Sequence, residues 1–307
     1  MTQEIHRLWR HLMFDPQSFK VNRLASALGA EIRGVKLTDV DSDGATEILS
    51  LLVEHKVLFF PRQNLSVDEH VLFGAHFGEL QGHPHYKNPI TEHDRIFELV
   101  ASRGGVADEW HSDVTFRPHP ALFSILNMAK CPEVGGDTMW SNPELAYEEL
   151  SAPFRDLCDG LTALHNAAPH GRPEVMTVHP VVRTHPVTGN KTLFVNEHFT
   201  RRIVELSHEE SAHLLSYLFK WIATPRFTVR YRWTSGTIAM WDNRCTQHMV
   251  LNDFNEERVI QRVTVMGDTP QGRAPKWEPF TQPGHSSDTS RYDELLIQYL
   301  SGQTGTE

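Results

Sequence analysis

Cysteine is nearly absent from this chain of 307 residues: there are three, Cys131, Cys158 and Cys245, and no paired spacing such as C-x-x-C. That excludes a disulfide framework and a cysteine-rich zinc module, and it fits a reducing compartment. Positive charge is scarce too, with 29 Lys+Arg against 39 Asp+Glu and a formal net charge of −10. No basic run appears, so a nucleic-acid groove, which needs clustered Lys and Arg on phosphates, is not expected. Long apolar runs are missing as well. The most apolar stretch, Val57-Leu58-Phe59-Phe60, is far short of the about 20 residues of a membrane span, and no apolar signal core stands at the N-terminus. The expectation is a soluble, cytoplasmic protein with neither nucleic acid nor membrane as partner. What stands out instead is histidine, 19 residues, enough to make a metal site worth seeking.

Gln3 to Phe14 has the i, i+3, i+4, i+7 spacing of an amphipathic helix, with Ile5, Leu8, Trp9 and Leu12 on one face. Its polar face mixes Glu4 and His6 with Arg7 and Arg10, which suits docking or subunit contact, so a homo-oligomer, dimer or tetramer, is expected. Val21 to Leu37 reads as short strands around Gly29 and Gly34, Thr46 to Lys56 as a helix, Val57 to Phe60 as a buried strand, and Ser66 to Phe77 as a helix N-capped by Ser66. From Ile96 onward the chain turns strand-like: Ile96 to Val100, Ala121 to Met128, Gly136 to Trp140, Thr192 to Asn196, Thr228 to Trp233, Thr237 to Trp241 and Arg258 to Met266. Short strands parted by turn residues predict an antiparallel sandwich or barrel, mainly β, with helical insertions at Pro143 to Leu164 and Ser207 to Ile222. His165 to His179 has no clear period and reads as a surface loop. One domain, residues 21–268, is expected, flanked by the helical extension 1–20 and a polar extension 269–307 carrying a short helix at Tyr292 to Leu300.

His111-Ser112-Asp113 lies in an extended stretch, where residues two apart share a side, so an imidazole and a carboxylate could reach one metal. Alone this is weak, because about two H-x-[DE] matches arise by chance in such a composition. His208-Glu209-Glu210 is the built-in control: it falls in a helix, where positions two apart diverge and cannot share an ion. His248, after a strong strand, is a third candidate ligand. Two histidines and one carboxylate form a facial triad, which leaves positions of an octahedral Fe(II) open for a bidentate 2-oxo acid and O2. Arg258-Val259-Ile260-Gln261-Arg262-Val263-Thr264-Val265 alternates, with the two arginines on one face about 13 Å apart at roughly 3.3 Å per residue. A cation on an inward face is costly unless an anion answers it, so two such cations imply two anions, the far carboxylate of a 2-oxo acid and a group on the substrate. An outward face pairing Glu256 or Glu257 is the competing reading.

Several ordered motifs resemble the Fe(II)- and 2-oxoglutarate-dependent taurine dioxygenase family, with its alkylsulfatase and aryloxyalkanoate dioxygenase relatives. They are GAEIRGV (29–35), HKVLFF (55–60), WHSDVTF (110–116), GGDTMW (135–140), HPVVRTHP (179–186), LFVNEHF (193–199) and WDNRCTQH (241–248). The resemblance implies a distorted double-stranded β-helix, or jelly roll. It implies His111, Asp113 and His248 as iron ligands and Thr138 with Arg258 on the distal carboxylate of 2-oxoglutarate. It also implies Arg262, His83, Tyr86, Val114, Phe116 and Phe199 around a small anionic substrate. Such an enzyme uses O2, releases succinate and CO2, and hydroxylates a sulfonate or alkyl sulfate ester so that sulfite or sulfate leaves with an aldehyde; an aryloxyalkanoate-like carboxylate is the alternative substrate. Ala107, four residues before His111, and the 165–179 segment depart from the taurine pattern, which favours a more apolar tail than taurine's. A His-rich metal-dependent hydrolase and a non-catalytic jelly-roll binding protein are the other readings. The hydrolase has no need of Thr138 and Arg258, and the binding protein no need of an intact triad.

Overall fold

A computed structural model describes residues 19–82, 94–104, 106–280 and 296–302. The expected Gln3 to Phe14 helix, His83 and Tyr86 lie outside the described residues. Most of the chain is β-structure. The main sheet runs Lys20–Arg23, Ala30–Arg33, Val57–Phe60, Ile238–Asp242, Ala121–Lys130, Val259–Met266 and Leu80–Gln81, and Ile96–Val100 also pairs with Val259–Met266. A three-stranded sheet, Thr228–Tyr231, Thr138–Ser141 and Gln247–Val250, stacks against it.

Val57–Phe60 has no polar alternation because both of its faces are covered. Leu58 and Phe60 join Ile48, Leu52 and Phe73 under the helices Ser42–His55 and Val67–Ala75, while Val57 and Phe59 meet Trp140, Tyr231 and Trp241 between the two sheets. Val259–Met266 divides in the same way. Val263 and Val265 face the helices, whereas Ile260 joins the inter-sheet cluster, with Arg258 and Arg262, both buried, on its side of the strand. The alternation read from sequence therefore holds, and its arginine face points between the sheets. This two-sheet, mainly antiparallel arrangement is the expected jelly roll.

The helix ends also follow the sequence. Ser66 and Ser207 each close a capping box, with Glu69 and Glu210. His208 and Glu209 consequently stand on the first turn of His208–Ile222 beside solvent, as the control requires.

Two expectations are corrected. Pro143 to Leu164 is two short helices, Pro143–Glu148 and Ala152–Cys158, followed by a strand, Thr162–Ala167. Ser151 is extended ahead of Pro153, which starts a new helix rather than continuing the old one, and Gly160 follows the second. His165 to His179 is no surface loop. It is the end of that strand, a 3-10 turn and the strand Arg172–Pro180, forming with Thr200–Ile203 a further sheet in which His165 and Asn166 are fully buried. The histidines hid the strand pattern because they bond inward: His165 Nδ1 lies 3.0 Å from Thr115 Oγ1 and His179 Nε2 lies 3.0 Å from the Arg117 carbonyl. The segment after Asp268 is tied to this same region, with Phe280 N donating to Val204 O (2.9 Å) and Leu296 buried against Leu164 and Met176.

Candidate active site

His111 and His248 are paired directly across an isolated antiparallel bridge. Each backbone N–H donates to the other's carbonyl, at 3.1 and 2.8 Å, and this pairing sets the two side chains next to each other, with ring centroids 4.1 Å apart. Asp113, two residues beyond His111, points to the same place: its Oδ1 is 3.9 Å from His111 Nε2, and one donor atom from each of the three residues lies within 4.8 Å of the others. His111 Nδ1 sits 2.8 Å from the Glu109 carbonyl, which can only accept, so Nδ1 carries the proton and Nε2 keeps its lone pair toward Asp113. His248 Nδ1 is buried without a partner among the described residues. Burial lowers the His111 pKa to about 4 and that of His248 well below its usual value, so both rings are neutral at pH 7 and able to ligate. Burial pushes Asp113 upward, but Arg262 and the two histidines outweigh it and hold the carboxyl well below the usual range. Two neutral imidazoles and an ionised carboxylate, all buried, are a donor set that fits a divalent transition metal.

The support beneath Asp113 was not read from sequence. Ser124 Oγ donates to Asp113 Oδ2 at 2.6 Å, Asn243 Nδ2 donates to that Ser124 oxygen at 2.9 Å, and Asn243 Oδ1 accepts the Asp113 backbone N–H at 3.1 Å. The signal was present, since Ser124 is polar in an otherwise apolar stretch of Ala121–Lys130 and shares its face with Leu126 and Met128. Val114, next in the chain, takes φ 49°, a strained value for a β-branched residue of the kind that gathers at functional sites.

Four residues apart, one just before Val259–Met266 and one within it, the two arginines differ. Arg258 Nε donates to Gly136 O (3.1 Å) and its Nη2 to Thr138 Oγ1 (3.2 Å), so Thr138 and Arg258 meet as expected. Gly136 has φ +68°, and a Cβ there would come within 3.3 Å of the Arg258 side chain, which accounts for glycine at this position. Both partners are neutral oxygens, and burial pulls the guanidinium down to about 10. Arg262 Nη1 instead donates to Asp113 Oδ1 at 2.5 Å, its guanidinium lies 5.4 Å from the Phe97 ring centre, and its Nε has no partner among the described residues. Of the two anions inferred from sequence, one is thus supplied by the protein itself. A small, partly open pocket joins His111, His248, Thr138, Arg258 and Arg262, and Ala107, Leu99 and Val250 make part of its apolar wall.

Val114, Phe116 and Phe199 form one buried cluster beside this pocket, with the Phe199 and His111 rings 6.3 Å apart. His170 and His198, not singled out in the sequence, pack their rings 5.5 and 4.5 Å from Phe199, and His198 Nδ1 is 2.7 Å from Glu109 Oε2. The excess of histidine is therefore partly an aromatic wall around the candidate metal centre.

A jelly roll with such a pocket between its sheets defines a 2-oxoglutarate-dependent dioxygenase, an oxidoreductase. The chain belongs to the family described as "Taurine catabolism dioxygenase TauD, TfdA family", which matches residues 20–264. It is 38% identical over 277 residues to an alpha-ketoglutarate-dependent sulfate ester dioxygenase of Pseudomonas putida, covering 82% of this chain and 91% of that one. It is 37% identical over 280 residues to an alkylsulfatase of Acinetobacter baylyi, covering 83% and 87%. A crystal structure of a taurine dioxygenase from Burkholderia xenovorans superposes with a TM-score of 0.76 at 36% identity, covering 85% of this chain and 95% of that one. Among the described residues no helix is long and apolar enough to cross a membrane.

Proposed function

We propose that the enzyme is Fe(II)-dependent and hydroxylates the carbon that bears the sulfur group of a small organic anion, an alkyl sulfate ester first and a sulfonate second. His111, Asp113 and His248 would hold the iron. The chemistry supplied at such a centre is O2 activation coupled to oxidative decarboxylation of 2-oxoglutarate, giving succinate and CO2. Thr138 and Arg258 bind the distal carboxylate, the guanidinium by charge and the hydroxyl by a further hydrogen bond. Arg262 steadies Asp113 and offers its unpartnered Nε to the substrate's anionic group. Val114, Phe116 and Phe199 exclude water and orient the substrate carbon. Once that carbon carries a hydroxyl, its C–O bond to sulfate breaks as the hydroxyl loses its proton, releasing sulfate and an aldehyde; with a sulfonate the C–S bond breaks and sulfite leaves.

The observation that carries this reading is Arg258, a buried cation whose hydrogen-bond partners among the described residues are neutral oxygens, in one pocket with His111 and His248. Its preference for sulfate esters is supported by the two relatives at 37 and 38% identity and by the apolar wall at Ala107. The test is an anaerobic difference spectrum with Fe(II) and 2-oxoglutarate, repeated with alkyl sulfates, sulfonates and aryloxyalkanoates, followed by assay of sulfate, sulfite and succinate. Sulfate released in step with succinate from a medium-chain alkyl sulfate is expected. Turnover of aryloxyalkanoates alone would overturn the substrate assignment.

A further inference from the structure

Thr138 is more tightly constrained than its role on a carboxylate requires. Its Oγ1 receives two hydrogen bonds, from Trp233 Nε1 at 2.9 Å and from Arg258 Nη2 at 3.2 Å. Indole and guanidinium groups can only donate, and a hydroxyl has two acceptor lone pairs and one hydrogen. Both lone pairs are therefore held by groups that cannot exchange roles, and the single hydrogen must go elsewhere. Among the described residues no protein oxygen receives it. Trp233 cannot easily turn away: it is 6% exposed, with ring centres 5.3 Å from Tyr231, 6.0 Å from Trp140 and 6.4 Å from Phe59.

We propose that Trp233 is a positioning residue for the co-substrate, fixing the Thr138 hydroxyl so that it donates into the pocket. A pocket lined by Thr138 and Arg258 then presents only donors at that end, which suits a carboxylate, an acceptor of hydrogen bonds and an anion. Without the indole N–H the hydroxyl is free to rotate, and binding has to order it. The inference rests on the assignment of Thr138 and Arg258 to 2-oxoglutarate. It adds a residue from a different stretch of chain, five residues before Ile238–Asp242, that never needs to touch the ligand.

The experiment is a double-mutant cycle with Trp233→Phe and Thr138→Val, read as anaerobic equilibrium binding of 2-oxoglutarate to the Fe(II)-loaded protein. Trp233→Phe alone is expected to weaken binding about fivefold to tenfold, consistent with one lost neutral hydrogen bond. In the Thr138→Val background the same change should weaken it by less than about twofold. At saturating 2-oxoglutarate, kcat should stay within about twofold of wild type. Equal losses in both backgrounds would reduce Trp233 to packing and overturn the proposal, as would unchanged affinity in Trp233→Phe where Thr138→Val binds weakly. Unchanged affinity in Thr138→Val would instead overturn the co-substrate assignment itself. Packing lost with the indole is common to both arms and cancels; Trp233→Tyr replaces Trp233→Phe if the latter does not fold.

Discussion

Two buried clusters in this protein have nearly the same composition and opposite chemistry. His111, Asp113 and His248 bring donor atoms within 4.8 Å of one another, and so do His185, Asp242 and Cys245. The second cluster is closed. Asp242 accepts from the Arg244 backbone N–H and Nε at 2.9 Å and from its Nη2 at 2.6 Å, and it faces His185 Nε2 at 3.1 Å. His185 Nδ1 accepts from the backbone N–H groups of Val187 and Thr188, at 3.3 and 3.2 Å, so its Nε2 is the donor to Asp242. Burial keeps the Cys245 thiol protonated. The first cluster is open: its His111 Nε2 lone pair is kept free by the Glu109 carbonyl, and His248 Nδ1 has no partner among the described residues. Residue types at short range do not make a metal site. Lone pairs left without hydrogen bonds do.

The largest effect that tests this contrast is Asp113→Ala. Binding of Fe(II), or of Mn(II) as its stand-in, should fall from one equivalent to none by calorimetry, and turnover should drop below about 1% of wild type. Because the change strands Arg262 in a buried site, it should also cost about 3–5 kcal/mol in chemical unfolding. One equivalent still bound at native affinity would mean that the wrong cluster was chosen.

Asp242→Ala is the reciprocal change. It leaves Arg244 and His185 without their acceptor, so about 3–5 kcal/mol of stability should be lost in urea unfolding. The folded fraction should nevertheless keep one equivalent of metal. Loss of that equivalent together with native stability would turn the comparison around.

Arg258→Ala is the next smaller effect. Charged hydrogen bonds are worth about 1.5–3 kcal/mol, so the apparent KM for 2-oxoglutarate should rise between tenfold and a hundredfold while kcat at saturation changes little. An effect confined to the sulfur-bearing substrate would exchange the roles of Arg258 and Arg262.

How much of this was legible depended on whether the signal was local. The triad was, because an extended H-x-D and a histidine after a strong strand are short-range patterns, and so was the arginine face of Val259–Met266. The cross-strand pairing of His111 with His248 was not, since register across 137 positions leaves no mark on either segment. Arg262 was read as facing a ligand anion because sequence cannot reveal that its nearest anion is Asp113. The strands Thr162–Ala167 and Arg172–Pro180 were missed for a related reason: much of Thr162–Ala167 is buried and its polar residues bond inward, so polar-outside alternation disappears.

Acid should separate the two clusters by the pH at which each responds. Burial lowers His70, His111 and His179 to about 4, below the ordinary 6.5, so between those pH values the unfolded chain takes up protons that the folded one refuses. Stability therefore falls as pH drops from 6.5 toward 4, by roughly 1 kcal/mol per pH unit for each such histidine. Asp242 has the same sign but acts at lower pH. Burial pushes it upward, but hydrogen bonds from His185 and Arg244 outweigh burial and lower it to about 2, so its contribution is complete above its ordinary 3.8 and is lost only as pH falls through about 2. Metal-free protein melted from pH 7 to pH 2 should thus weaken in two stages, and His70→Gln should flatten the first without moving the second. Added Mn(II) should raise the melting temperature at pH 7 and lose that gain across the first stage alone, because protons compete with the ion for His111 and His248. A metal-induced gain that survived to pH 4 would show that the bound ion is not held by those imidazoles.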